Sequence, residues 1–202
     1  MLSLRDLLAL ISAAVLSLMT TRYCYSIWCG ATRPHPFTWA VWSVIGLIGL
    51  TSNIAAGGGA VAIMLSVVTL LQVVVFILSL LRPAVEVPVH WSTWVVCLSG
   101  LVLWFASDEP LFAAVGVVIA DGIAAWPTIR NAWRNPHHEP PTIWLIDGCA
   151  LAIGAMAVET LSWGTLLYPT YLAMGSLSIG LIALLRRRTA ETKQRTPISP
   201  AR

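Results

Sequence analysis

Seven stretches of this chain are apolar for about the length needed to cross a lipid bilayer. A spanning helix needs roughly 20 predominantly apolar residues. The runs fall at about 7–28, 37–56, 60–81, 89–106, 110–130, 141–158 and 162–185. Charge is scarce enough to exclude the alternatives: 10% of the 202 residues are charged, against about 25% in a soluble domain. Disordered and disulfide-stapled classes fall by the same arithmetic. The expectation is an all-α transmembrane protein, with no room for a large soluble domain.

The cations sort by side. With seven spans, Arg5 lies on one side of the membrane. Arg22, Arg33, Arg82, Arg130, Arg134, Arg186, Arg187, Arg188, Lys193, Arg195 and Arg202 lie on the other. Cationic loops stay in the cytoplasm, so the amino terminus is expected outside and the carboxyl terminus inside an inner (cell) membrane. The net charge of +3, placed at span ends, is no nucleic-acid signature. Arg186-Arg187-Arg188 reads as a stop signal in contact with anionic lipid. His137-His138-Glu139 reads as a solvated basic loop. Trp28, Trp39, Trp91, Trp133 and Trp144 fit an inner aromatic belt, and Trp104 and Trp163 an outer one. Gly57-Gly58-Gly59 reads as a turn. Cys24, Cys29, Cys97 and Cys149 have neither metal-binding nor disulfide spacing, so no metal or other cofactor is expected.

The chain repeats itself weakly. At an offset of 104, Pro36 matches Pro140, Thr38 matches Thr142, and Leu80-Leu81-Arg82 matches Leu184-Leu185-Arg186. The first three spans and the last three share lengths and Arg-marked ends, with the fourth as the odd one. The expected architecture is a seven-helix 3+1+3 bundle of two parallel three-helix repeats. It divides into 1–82, a linker helix in 83–108, a second repeat in 109–188 and a disordered tail in 189–202. Parallel repeats place a solute site between the halves.

This arrangement, with the amino terminus outside, resembles the PQ-loop superfamily, which includes the SWEET (MtN3-like) transporters and lysosomal amino-acid exporters. Trp126-Pro127-Thr128-Ile129-Arg130-Asn131 resembles the proline–glutamine turn ending the fifth helix, with Thr128 in place of Gln. Asn135-Pro136 and Glu139 follow in the matching loop. Trp144-Leu145-Ile146-Asp147-Gly148 resembles the sixth-helix segment, where several members carry an aspartate. The first span holds no proline, a departure from the SWEET hinge set. The resemblance covers about 5–188 and implies a carrier of a bacterial branch.

Two acids lie well inside spans, and an intramembrane acid suggests a function or a partner. Asp121 lies roughly 13 Å and Asp147 roughly 12 Å from the Arg-marked edge at 1.5 Å per residue. Two carboxyls at one depth on consecutive helices would share a proton, so both are candidates for solute recognition or proton coupling, Asp147 ranking first. Candidate cavity lining comprises Trp42, Trp126, Asn53, Gln72, Ser176 and Tyr168, and Pro127 and Pro169 are candidate hinges. The expected function is a carrier of a small solute by alternating access, proton-coupled through the aspartates, with the bilayer and a second copy as partners. An intramembrane aspartyl enzyme and a non-transporting receptor or assembly partner are the alternatives.

Overall fold

In a computed structural model, residues 3–55, 59–82, 91, 95, 98, 99, 102, 106, 110–157 and 163–195 are described. All regular structure among them is helical. The elements are α1 (Leu4–Trp28), α2 (Pro36–Ala55), α3 (Gly59–Leu81), α4 (Pro110–Arg134), a 3-10 turn (Pro136–His138), α5 (Pro141–Ala155) and α6 (Trp163–Arg195). In the stretch read as the fourth span, Trp91, Val95, Leu98, Ser99, Val102 and Ala106 are helical. Gly57, Gly58, Cys97, Trp104 and Glu159 lie outside the described residues, as do the side chains of Asn53, Trp163, Tyr168 and Pro169.

Local chemistry sets the ends. Ser3 caps α1 in a reciprocal box: its hydroxyl accepts from the Asp6 amide at 3.1 Å, and its own amide donates to the Asp6 carboxylate at 2.9 Å. Gly30 ends α1 at φ 75°. Its amide donates to the Ile27 carbonyl, and the Ala31 amide donates to Ser26, closing a Schellman motif that a left-handed residue makes possible. Pro36 and Pro141 open α2 and α5, where a missing N–H costs nothing.

Among the described residues, α1 is the helix long and apolar enough to cross a membrane. Pro36–Leu47, Ser66–Leu81 and Pro141–Ala155 are shorter apolar helical stretches. The outward faces are apolar: Leu18, Leu70, Ile77, Ile119, Met174 and Leu181 are all exposed. The buried set is unusually polar, including Ser12, Thr38, Ser43, Thr69, Ser79, Asp121, Thr128, Asn131 and Glu139.

Helix packing follows one rule. α3 packs on α1 and α2, and α6 packs on α4 and α5. Between these triplets, α1 meets α5 and α2 meets α4. Among the described residues, the backbones of α1 and α2 do not come close to each other, nor do those of α4 and α5. The set of pairs is unchanged when α1, α2 and α3 are exchanged with α4, α5 and α6. The Arg-marked ends behave alike as well: Arg82 reaches from α3 to Gly30, and Arg186 donates from α6 to the Trp133 carbonyl at 3.1 Å.

Small residues let the triplets close. A Cβ on Gly148 would lie 2.5 Å from Leu177 Cγ, and one on Gly180 2.8 Å from Leu145 Cγ, so α5 and α6 touch nearly backbone to backbone. Across the seams, Ser12 donates to the Ala150 carbonyl at 2.8 Å. Thr128 donates to Thr38, which donates to the Ala124 carbonyl. Thr142, the repeat match of Thr38, is exposed instead.

Two expectations need correction here. α6 runs on to Arg195, so the described part of 189–202 is helical rather than disordered. Ala190, Glu191, Lys193 and Gln194 are good helix formers, and Arg187 and Glu191 stand four apart with opposite charge. Trp39 and Trp144 are not belt residues: they are 6% and 5% exposed, whereas Trp28, Trp91 and Trp133 are 55–70% exposed and do face outward.

Candidate functional site

The most polar interior lies at the Arg-marked end, where one hydrophobic cluster draws from all six helices: Tyr23 and Ile27, Trp39, Val75, Ala132, Trp144 and Ile179. Tyr23 stands at its centre. Its ring lies 5.3 Å from Trp39 and meets Trp144 edge-on at 5.8 Å, while Trp42 meets Trp39 edge-on at 5.1 Å.

Glu139 enters this cluster from the turn between α4 and α5. Pro140 follows it, which forces an extended backbone, and Glu139 has φ −119° and ψ 123°. Its side chain turns inward and is fully buried. Three donors close on the carboxyl from three helices: the Tyr23 hydroxyl at 2.9 Å, Trp144 Nε1 at 3.1 Å and Asn131 Nδ2 at 3.2 Å. Arg187 clamps the turn from outside, its guanidinium donating to the Pro136 and Glu139 carbonyls at 2.8 Å each. The cation thus bonds to backbone, and the carboxylate has no ion-pair contact. Burial pushes the Glu139 carboxyl up from 4.5 to about 7, opposed by its three hydrogen bonds and the nearby Arg187 charge. The facing loop joins the same knot: the Arg33 amide donates to the His138 carbonyl at 3.1 Å, and Asn131 Nδ2 to the Arg33 carbonyl at 3.2 Å. Glu139 is therefore no part of a solvated loop. Of His137-His138-Glu139, only His137 is exposed, and His138 is half-buried.

Beyond Trp42 a cavity of 690 Å³ opens between α2, α4 and α6. Asp121, Gly122, Tyr171 and Ser176 line it, together with apolar Ala125, Ile129 and Ile179. Asp121 is buried and held against Tyr171 and Trp42, although Trp42 Nε1 completes no hydrogen bond of regular length and angle. No described lining residue is Lys, Arg or His.

The structure separates the two aspartates. Equal depth on consecutive helices suggested a pair; among the described residues α4 and α5 do not pack on each other, and no interaction joins Asp121 to Asp147. Asp147 is half-buried, has no part in the cavity wall, and leaves Oδ1 without a hydrogen-bond partner. For this cavity the ranking of the two acids is reversed. Trp42 and Ser176 lie on the wall of this cavity. Trp126 is not part of that wall and is 60% exposed. Gln72 lies between α3 and α2, its Oε1 unpartnered and close against Gly46. Pro127 sits buried inside α4, one residue before the Thr128–Thr38 bond. Among the described residues no group of three possible metal ligands occurs.

Comparison with known proteins returns no match: no family model, curated protein or solved structure is similar to this chain.

Proposed function

We propose that the chain is a multi-pass inner-membrane carrier for a small solute, built as a seven-helix 3+1+3 bundle of PQ-loop type, with the amino terminus outside and the Arg-marked end in the cytoplasm. The observation that carries this reading is the packing that survives exchange of the two triplets. Two like bundles that meet, among the described helices, along the seams α1–α5 and α2–α4 are the parts that a rocking carrier needs. Apolar outward faces over a polar interior support a lipid surround. Asp121 recognises the solute in the cavity, with Trp42, Tyr171 and Ser176 around it. Asp147, with no proton partner, is the softer candidate for coupling. A paired-aspartate enzyme is disfavoured because the helices that carry Asp121 and Asp147 do not pack on each other among the described residues.

The purified chain, reconstituted in liposomes, should accumulate one class from a panel of labelled amino acids, sugars and amines, saturably, and Asp121→Asn should abolish that uptake. Absence of flux for the whole panel, with a protein co-purifying, would favour the receptor or assembly reading. Topology is checked separately: native Cys29, exposed at the Arg-marked end, should label from the cytoplasmic face and Ser3→Cys from the outer face. Labelling of both from one face sinks the seven-span arrangement.

A further inference from the structure

The knot around Glu139 joins parts that a carrier must separate. Tyr23 and Arg33 belong to the first triplet and its loop, and Asn131, Glu139, Trp144 and Arg187 belong to the second. We propose that Glu139 is a proton-binding site that fastens the cytoplasmic ends of the two halves while it holds its proton, and lets them part as it gives the proton up. This rests on the carrier reading above and adds to it a proton site outside the two intramembrane aspartates.

The geometry sets the direction. A fully buried carboxylate without a bonded cation is costly, because dehydration of the charge outweighs ordinary hydrogen bonds. The neutral acid fits the same pocket without that dehydration cost. Trp144 can only donate, and Asn131 meets Glu139 with its donor Nδ2 while its Oδ1 accepts from Asn135. The Tyr23 hydroxyl can also accept, so a protonated carboxyl donates to Tyr23, whose own O–H turns away, and keeps the other two bonds. When α1 draws away from α5, Tyr23 leaves and water reaches the carboxyl. The O–H bond then breaks, the proton passes to that water, and the hydrated carboxylate resists reburial. The upward shift of the carboxyl to about 7 agrees with a closed state that prefers the neutral form.

Few other groups bear on the knot. α1 brings Tyr23, with Cys24 beside it, and α6 brings Arg187. α4 and α5 bring only Asn131 and Trp144, which do not titrate. α2 brings Trp39 against Tyr23, the loop before α2 holds buried His35, and His138 precedes Glu139 in its own turn. Because histidines titrate in the same range, the test compares the chain with and without an ionisable group at 139.

Cys24 is a built-in reporter, half-buried against the core cluster next to Tyr23. In the full chain, with Cys29, Cys97 and Cys149 replaced by Ser, its labelling rate by a maleimide is measured in inside-out vesicles from about pH 5 to about pH 8. The same series on Glu139→Gln divides out the thiol's own pH dependence. The ratio of the two rates should rise about tenfold or more with pH and level off near neutrality, because the closed state binds the proton more tightly than the open one. A flat ratio overturns the proposal. Should Glu139→Gln not fold, Trp144→Phe removes one donor. Labelling should then be faster at low pH than in the parent, and an unchanged curve overturns the proposal. Flux with a flat ratio removes the proton latch and spares the carrier. A pH-dependent ratio with no flux for any solute does the reverse.

Discussion

Glu139 and Asp147 lie eight residues apart on one short segment and are acids of opposite kinds. Glu139 lies in a polar, Pro-rich turn, yet it is fully buried with three donors from three helices. Asp147 lies inside an apolar helix, yet it is half-buried with an oxygen that has no partner. Depth along a helix therefore does not tell which acid the fold uses to bind its parts together. What decides is which side chains converge: Tyr23 of α1, Asn131 of α4 and Trp144 of α5 aim donors at Glu139, whereas α1 and α6 pack on the helix that carries Asp147 without giving its Oδ1 a partner.

The largest expected effect tests the first half of that contrast. Glu139→Ala leaves the Tyr23 hydroxyl, Asn131 Nδ2 and Trp144 Nε1 with a lost acceptor in a dry interior. Each such orphan costs about 1–3 kcal/mol, so the variant should lose about 3 kcal/mol or more, read as a drop in the melting temperature of the purified protein. A loss below about 1 kcal/mol would mean that water already reaches the site. Glu139→Gln should lose less, because an amide keeps one acceptor.

A smaller effect separates Asp147 from its neighbour. Gly148 brings α5 against α6, and an added methyl would meet Leu177 at its Cγ and its backbone nitrogen, 2.9 Å away. Gly148→Ala should cost about 1–3 kcal/mol by overpacking. Gly175→Ala, where nothing lies within 4 Å, should be neutral or gain about 0.5–1 kcal/mol of helix propensity. If both behave alike in thermal unfolding, the close contact between α5 and α6 is not what holds Asp147 in place.

Stability should also follow pH with a sign set by Glu139. Its folded value is raised from 4.5 to about 7, so across that window the folded chain keeps a proton that the unfolded chain has lost. Stability is then greatest below about 4.5, falls as pH rises toward about 7, and is level above. Glu139→Gln should flatten that slope in a melting series. A slope that persists in the variant would assign the proton to His35, His138 or another group.

The helical class was legible in the sequence through the length and period of its apolar runs, which are local quantities. The sequence also flagged Asp121, Trp42 and Ser176, which share the cavity. It misread Trp39 and Trp144 because a tryptophan one turn inside a span looks the same whether it faces lipid or a tyrosine from another helix. It misread Glu139 because a lone acid beside two histidines in a Pro-rich loop carries no sign of Tyr23, 116 positions away. One local hint existed: Glu139 precedes two prolines that start α5, a geometry that fixes its direction. The packing of the two aspartate helices was not legible, since α4 and α5 are neighbours in sequence but do not pack on each other among the described residues.

The smallest structural effect belongs to Asp147→Asn. The carboxyl has an oxygen with no partner to lose, and the amide matches it in size, so unfolding should shift by only about 0.5 kcal/mol or less. That near-silence makes it the informative variant for transport. If Asp147 couples protons, the folded Asn variant loses the pH dependence of uptake while its melting curve stays in place. If Glu139 alone carries the proton, Asp147→Asn leaves both the uptake profile and the Cys24 labelling ratio unchanged. A double variant, Asp147→Asn with Glu139→Gln, sharpens the contrast. Glu139 precedes α5 and Asp147 lies inside it, and the two share no hydrogen-bond partner, so their effects on stability should add within about 0.5 kcal/mol. Non-additive uptake would mean that the two acids act on one proton, and that the separation between them is closed during the transport cycle.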